Sequence, residues 1–148
     1  MDRTDRAIIE HLRRDARLPN TELADRVGLT PAPCLRRVRH LEQAGVITGY
    51  HARVDPRTVG RGFEVLVNVD LARKDRGTVE QFEARVAAFD EVIEMRRMFG
   101  LPDYFLRIAT ADLETFETFV THHLEDTPGI ARVDSHLTMK TIKTRVGS

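Results

Sequence analysis

The chain has 148 residues, 23 Lys and Arg against 23 Asp and Glu, and so a formal net charge of zero; that length admits one medium domain or two small ones. No stretch approaches the roughly 18 consecutive apolar residues of a membrane helix. Charged residues open the chain where a secretory signal needs an apolar core, and the lone Cys34 has no partner for an intrachain disulfide, so a reducing, cytoplasmic setting is expected.

The zero balance conceals an asymmetry. Residues 1–57 hold 11 Arg and no Lys against 8 acidic residues, whereas residues 58–148 hold 12 basic against 15 acidic residues. A cationic half joined to an anionic half fits a DNA-facing domain, expected over residues 1–52, and a domain with another task over 63–148, with 53–62 as linker.

Asp2 heads a first helix with Ile8, Ile9 and Leu12 as its apolar stripe and an end near Asp15. After Leu18-Pro19, Asn20 is the expected N-cap of a short second helix that carries Leu23, Ala24 and Val27 and stops at Gly28. Thr30 is the expected cap of a third helix, with Pro31 and Pro33 in its first turn, where missing N–H groups cost least. At 100° per residue, Cys34, Val38 and Leu41 form one stripe of that helix. Ala32, Pro33, Arg36, Arg39, His40 and Gln43 lie opposite, with Arg37 on the flank. A short helix, a turn on Gly28-Leu29 and a longer helix with an arginine-rich exposed face have the layout of a helix-turn-helix. Val46 to Ala52 reads as a short strand or wing, and Asp55-Pro56 as punctuation.

In the second half, Phe63, Val65, Val67, Val69 and Leu71 alternate with polar residues, the period of a strand with one buried face. A helix with Val79, Phe82, Val86 and Phe89 follows. Val92 to Phe99 and Tyr104 to Thr110 read as strands, Asp112 caps a helix with Leu113, Phe116, Val120 and Leu124, and Ile130 to Ile142 reads as a last long strand. Val79 to Val86 and Leu113 to Val120 repeat one another at an offset of 34 residues, which favours a ferredoxin-like β-α-β-β-α-β domain over a helical solenoid. The expected fold is therefore α+β: an N-terminal (winged) three-helix helix-turn-helix domain and a C-terminal ferredoxin-like domain with both helices on one sheet face. The other face, carrying Leu66, is expected to be apolar and covered by a second copy.

Four stretches carry a resemblance: Asp2-Arg3-Thr4-Asp5 with Ile8 and Leu12; Asn20 to Ala24 leading to Val27-Gly28-Leu29-Thr30; Cys34-Leu35-Arg36-Arg37-Val38-Arg39 with Leu41-Glu42 and Gly45; and Ile47-Thr48-Gly49-Tyr50. With them the chain resembles, over nearly its whole length, the leucine-responsive regulatory protein/AsnC family of transcription regulators, also called feast/famine regulators. The resemblance implies that Thr30 to His40 is a recognition helix for double-stranded DNA, with Thr30, Pro31, Ala32, Arg36, Arg37, Arg39 and His40 as its contact residues. It also implies homodimers that assemble further, up to octamers, and no cofactor beyond an amino-acid or related small-molecule effector. That effector is expected at an interface between C-terminal domains, near a Gly-x-x-Asp-Tyr loop that is here Gly100-Leu101-Pro102-Asp103-Tyr104. Many members have an acidic or polar residue after the glycine; Leu101-Pro102 here shifts the expected contacts to backbone N–H groups and Asp103, with Thr138 on the last strand as a further polar contact. Asp103 serves equally as a structural cap of the turn.

Arg36 and Arg37, with Thr30 and His40, are expected to reach phosphates and base edges, and Arg39 and residues 48–51 the DNA backbone. Three other readings compete. An enzyme finds little to work with, since His122-His123 and His136 lack a Cys partner, metalloprotease spacing or a glycine-rich phosphate loop. A metal sensor would use His122, His123 and Asp126. An architectural protein would wrap DNA without an effector.

Overall fold

The computed structural model describes residues 1–143. They form two compact units, residues 1–53 and 54–142.

In the first unit, α1 (Arg3–Arg14) starts in a capping box. The Asp5 N–H donates to Asp2 Oδ1 at 2.8 Å and the Asp2 N–H to Asp5 Oδ2 at 2.9 Å, so two N–H groups that lack helical partners are satisfied reciprocally. The second helix, α2 (Asn20–Val27), has Pro19 at its N-cap position, not Asn20. Asn20 lies inside the first turn, and its Nδ2 donates across to the Pro31 carbonyl at 2.8 Å, tying the starts of α2 and α3 together. Gly28 closes α2 at φ +70°, where a Cβ would be strained. Thr30 does occupy the N-cap position of α3 (Pro31–Gln43), but its side chain makes no capping bond. Pro33 sits at the third helical position and has no N–H to donate, so the proline-rich first turn removes the usual capping partner.

The core of this unit is Ile8, Leu18, Leu23, Ala24, Cys34, Val38 and Leu41, with Ile9, Leu12, Val27, Leu29 and Ile47 packed against it. Cys34 is fully buried, and burial pushes its thiol pKa up, away from the reactive thiolate. No strand forms between Val46 and Ala52. After Gly45, at φ +68°, the N–H groups of Val46 and Ile47 both turn back onto the Leu41 carbonyl, at 2.9 and 3.1 Å, so the segment is spent closing α3.

The expected linker is largely a structured turn of the second unit. The Asp55 carboxylate accepts the Arg57 N–H at 3.0 Å, and Arg61 reaches the carbonyls of Asp90 and Ala109. Four strands follow, β1 (Phe63–Leu71), β2 (Val92–Arg97), β3 (Tyr104–Thr110) and β4 (Ile130–Leu137), in the antiparallel order β2-β3-β1-β4. The first connection is α4 (Arg76–Ala87). The second is α5 (Leu113–Phe119) extended by a π-helical turn, Val120–Leu124. This is the ferredoxin-like order. Val65, Val67 and Val69 of β1, Leu106 and Ile108 of β3, Phe82 and Val86 of α4, and Phe116, Phe119 and Leu124 of the second connection form one core.

Three expectations change here. The structural repeat is offset by 37 residues, not 34: Asp75 caps α4 through the Thr78 N–H and Asp112 caps α5 through the Thr115 N–H. In that register Phe82 matches Phe119, both buried, and Val86 matches His123; the wide π turn inserts one residue and delivers Leu124 to the core instead, while Leu113 is 57% exposed. The last strand ends at Leu137, opposite Val65 of β1, so Thr138 lies beyond it and is exposed.

The sheet face away from the helices is not an apolar patch. Arg107 at its centre is held by Glu64 at 2.9 Å and Glu94 at 3.0 Å, and Leu66 and Phe105 are only half-buried beside it. The exposed apolar groups lie elsewhere, with Met98, Phe99 and Leu101 at the β2–β3 tip and Leu137, Met139 and Ile142 at and after the end of β4. Alternation places residues on a face but does not make that face apolar.

The π turn has a measurable consequence. Leu124→Ala, which empties a fully buried site, is expected to lower unfolding free energy by about 2–5 kcal/mol, and Leu113→Ala to change it by no more than about 0.5 kcal/mol. Urea unfolding of both variants at one protein concentration checks this; equal effects would place Leu113 in the core.

Candidate nucleic-acid interface and effector loop

Pro31, Ala32, Leu35, Arg36, Arg39 and His40 are all exposed on α3, and Ala32, Leu35, Arg36, Arg39, His40 and Gln43 line a shallow recess of about 530 Å³. Among the described residues no carboxylate pairs with Arg36 or Arg39. Thr30 is exposed as well, its hydroxyl released from capping by Pro33. Glu42, the acidic residue of α3, is drawn to its C-terminal end by the Tyr50 hydroxyl at 2.8 Å. Burial and the Glu42 carboxylate push the Tyr50 pKa up to about 12, so the phenol stays protonated as the donor.

Arg37 is placed differently from its neighbours. Its Nη1 lies 2.7 Å from Asp2 Oδ2 and 2.7 Å from Asp5 Oδ1, the two carboxylates of the α1 capping box. The backbone hydrogen bonds of the box and then the Arg37 guanidinium hold both carboxyls below the usual carboxylate range. Arg37 thus locks α3 against α1, whereas Arg36 and Arg39 are free to meet an anionic surface.

The second candidate site is the β2–β3 loop. Gly100 adopts φ +108°, the Leu101–Pro102 peptide is cis and Leu101 is 78% exposed. Asp103 is fully engaged: its Oδ2 accepts the Leu71 N–H at 2.9 Å, its Oδ1 lies 2.6 Å from Lys74 Nζ, and its own N–H donates to Asp70 Oδ1 at 3.1 Å. Burial raises the Asp103 pKa, but the bonds from Lys74 and the Leu71 N–H outweigh it and leave the carboxyl lowered. Tyr104 is buried against Phe82, with ring centroids 4.7 Å apart, and donates its hydroxyl to Glu83 at 2.8 Å. Lys74, which follows β1 in a stretch without periodicity, has no signal in the sequence that pairs it with Asp103.

Thr138 is not brought to this loop. Asp103 is bound to the Leu71 end of β1, while β4 ends opposite Val65, six residues away along the same strand. At about 3.3 Å per residue the two ends lie roughly 20 Å apart within one chain. Nor do His122, His123 and Asp126 gather into a metal site: among the described residues no three such groups converge, and the His123 ring sits 5.7 and 5.9 Å from the rings of Phe89 and Phe119.

Residues 64–147 match the model of the Lrp/AsnC ligand binding domain, and residues 1–48 that of a winged helix-turn-helix DNA-binding domain. The chain belongs to the Lrp/AsnC family of transcription regulators. The leucine-responsive regulatory protein of Salmonella typhimurium is 36% identical over 97% of this chain and 87% of its own length. The Bkd operon transcriptional regulator of Pseudomonas aeruginosa is 36% identical over 98% and 95%. Among solved structures, a transcriptional regulator from Neisseria meningitidis in complex with L-Met superposes with a TM-score of 0.92, at 34% identity, over 100% of this chain and 96% of that one. The protein is accordingly a DNA-binding regulator with a small-molecule-binding domain, and not an enzyme. The region matched to the DNA-binding domain contains all of α3, and the Lrp/AsnC ligand-binding region contains both the Gly100–Tyr104 loop and Thr138.

The Arg37 clamp has a pH signature. Because the Asp2 and Asp5 pKa values are lowered on folding, their contribution is present above the ordinary carboxylate range and is lost as pH falls through the folded values. Arg37→Ala is expected to lower the Tm of the N-terminal transition at neutral pH, with the gap to wild type closing as the pH is taken down through the carboxylate range. A gap that is constant with pH in calorimetry would mean that Arg37 contributes by packing alone.

Proposed function

We propose that the protein is a cytoplasmic, sequence-specific regulator that binds double-stranded DNA as a homodimer, with α3 in the major groove, and responds to an amino acid or related metabolite held between C-terminal domains. The observation that carries the DNA reading is the division of arginines on α3. Arg37 is neutralised by Asp2 and Asp5, while Arg36 and Arg39, with His40, stand exposed and have no ion-pair partner among the described residues. Arg36 and Thr30 reach base edges and phosphates, Arg39 and His40 the flanking backbone, with Pro31 and Ala32 allowing close approach of the helix N-terminus. The Thr48–His51 segment, irregular as it is, lies beyond the same helix and serves as a backbone contact.

The effector reading rests on the Gly100–Tyr104 loop within the ligand-binding region and on the relative solved with L-Met. A site that uses both the loop and Thr138 has to draw them from different copies, because one chain holds them roughly 20 Å apart. The exposed Phe99 and Leu101 at one end of the sheet and Met139 and Ile142 beyond the other supply apolar surface for such copies to bury. Assembly of dimers into octamers belongs to the same proposal.

The test is a fluorescence-anisotropy titration of the full chain on DNA from upstream of its own gene and on scrambled DNA, across salt, with and without the twenty amino acids. Arg36→Ala is expected to weaken specific binding by about 5- to 150-fold, the factor for one bidentate guanine contact. Arg39→Ala is expected to lower the salt slope by about one, and the amino-acid mixture to shift the specific isotherm. Specific binding with no shift would favour an architectural role, and equal affinity for both DNAs at every salt would remove the sequence-specific reading.

A further inference from the structure

Within the helices of the N-terminal unit one large apolar side chain, Leu35, stands exposed, at 37%. It lies about 100° from Cys34, off the stripe of Cys34, Val38 and Leu41 that fills the core, and shares a ridge with Ala32 one turn before it and Arg39 one turn after it. The outward face of α3 is therefore divided along its length. Its N-terminal part, with Pro31, Ala32 and Leu35, is apolar and uncharged, and its C-terminal part, with Arg36, Arg39 and His40, is cationic. Recognition helices aim their N-terminal residues at base edges. The apolar part is thus the part that meets bases, and the cationic part meets phosphates and the neighbouring base pair.

In the major groove of unmodified DNA one base alone offers a methyl group, at C5 of thymine; apart from the small C5–H of cytosine, the other edges present hydrogen-bond donors and acceptors that an alanine and a leucine leave unsatisfied. We infer that Ala32 and Leu35 form a thymine-methyl reader, so that each half-site contains a thymine one step from the base pair contacted by Arg36. This rests on the DNA-binding reading above and adds to it which base the helix selects. The proline pair assists, because Pro31 and Pro33 stiffen the first turn and hold Ala32 and Leu35 in one fixed ridge.

The test separates this inference from the reading beneath it. Duplexes are selected with the full chain from a random 30-bp library of unmodified bases, in which thymine is the sole source of a C5-methyl group. Each thymine of a selected duplex is then replaced in turn by deoxyuridine, which deletes that methyl and nothing else. Wild type and Leu35→Met, which keeps an apolar side chain, are expected to lose about four-fold in affinity at one or two thymines per half-site, the factor for burial of a single methyl group. Leu35→Ala, with its unfolding transition checked against wild type by circular dichroism, is expected to bind the thymine and uracil duplexes there within experimental error of each other. If no thymine proves sensitive, or if Leu35→Ala is as sensitive as wild type, the methyl-reading inference is overturned while DNA recognition stands. A selection that enriches no sequence at all overturns both.

Discussion

A three-helix unit of about fifty residues has little apolar surface to bury, and a DNA-reading helix makes matters harder by keeping one whole face unburied. Seven buried side chains form this core, so the orientation of α3 depends on what else grips its inner edge. The Arg37 guanidinium provides that grip. It joins the two carboxylates that already cap α1, so one cation serves helix initiation and helix packing at once. The Asn20 bond to the Pro31 carbonyl adds a hold at the N-terminal end of α3. With the middle and the N-terminal end of α3 held, the direction in which Arg36 and Arg39 project is set by polar contacts on the other side of the helix.

The C-terminal domain solves a related problem with β1. Its inward residues, Val65, Val67, Val69 and Leu71, are the centre of the core, and both of its edges are paired, to β3 and to β4. Its last N–H groups run out of strand partners where the chain turns toward α4. Asp103 supplies one of them, accepting the Leu71 N–H from the β2–β3 loop, while Asp70 returns a bond to the Asp103 N–H. The loop that the family resemblance marks for ligand is therefore a structural clasp built on the Asp103 carboxylate.

Elements whose cause is local were legible from sequence: α1 from its Asp2 cap and apolar stripe, α3 from its two first-turn prolines, β1 from strict alternation. What escaped was decided by contacts between distant residues. Asn20 has the chemistry of an N-cap, but Pro31 offers its side chain a better partner. The 34-residue register aligns Glu-Phe-Glu with Glu-Phe-Glu, whereas the caps and the buried phenylalanines align at 37, and no propensity marks the π turn that reconciles them. Helical periodicity set Arg37 on the flank of the arginine face, but its two carboxylate partners follow only from the position of α1. Leu66 suggested an apolar sheet face, yet Arg107, Glu64 and Glu94, separate in sequence, converge on it as an ion-paired chain. The wing was read from a weak alternation that the closure of α3 overrides.

The separation of Asp103 from Thr138 bears on how a ligand would act. A metabolite that touches both must bridge copies of the chain, and its binding free energy then favours one assembly or dimer geometry by as much as its affinities for the two differ. An α-ammonium group arriving at Asp103 meets a carboxylate already paired with Lys74, so part of the attraction is spent displacing that lysine. Lys74 is 60% exposed and is readily rehydrated, which keeps the displacement inexpensive, while the Leu71 N–H continues to hold Oδ2 in place. The clasp can therefore accept a ligand without opening the end of β1.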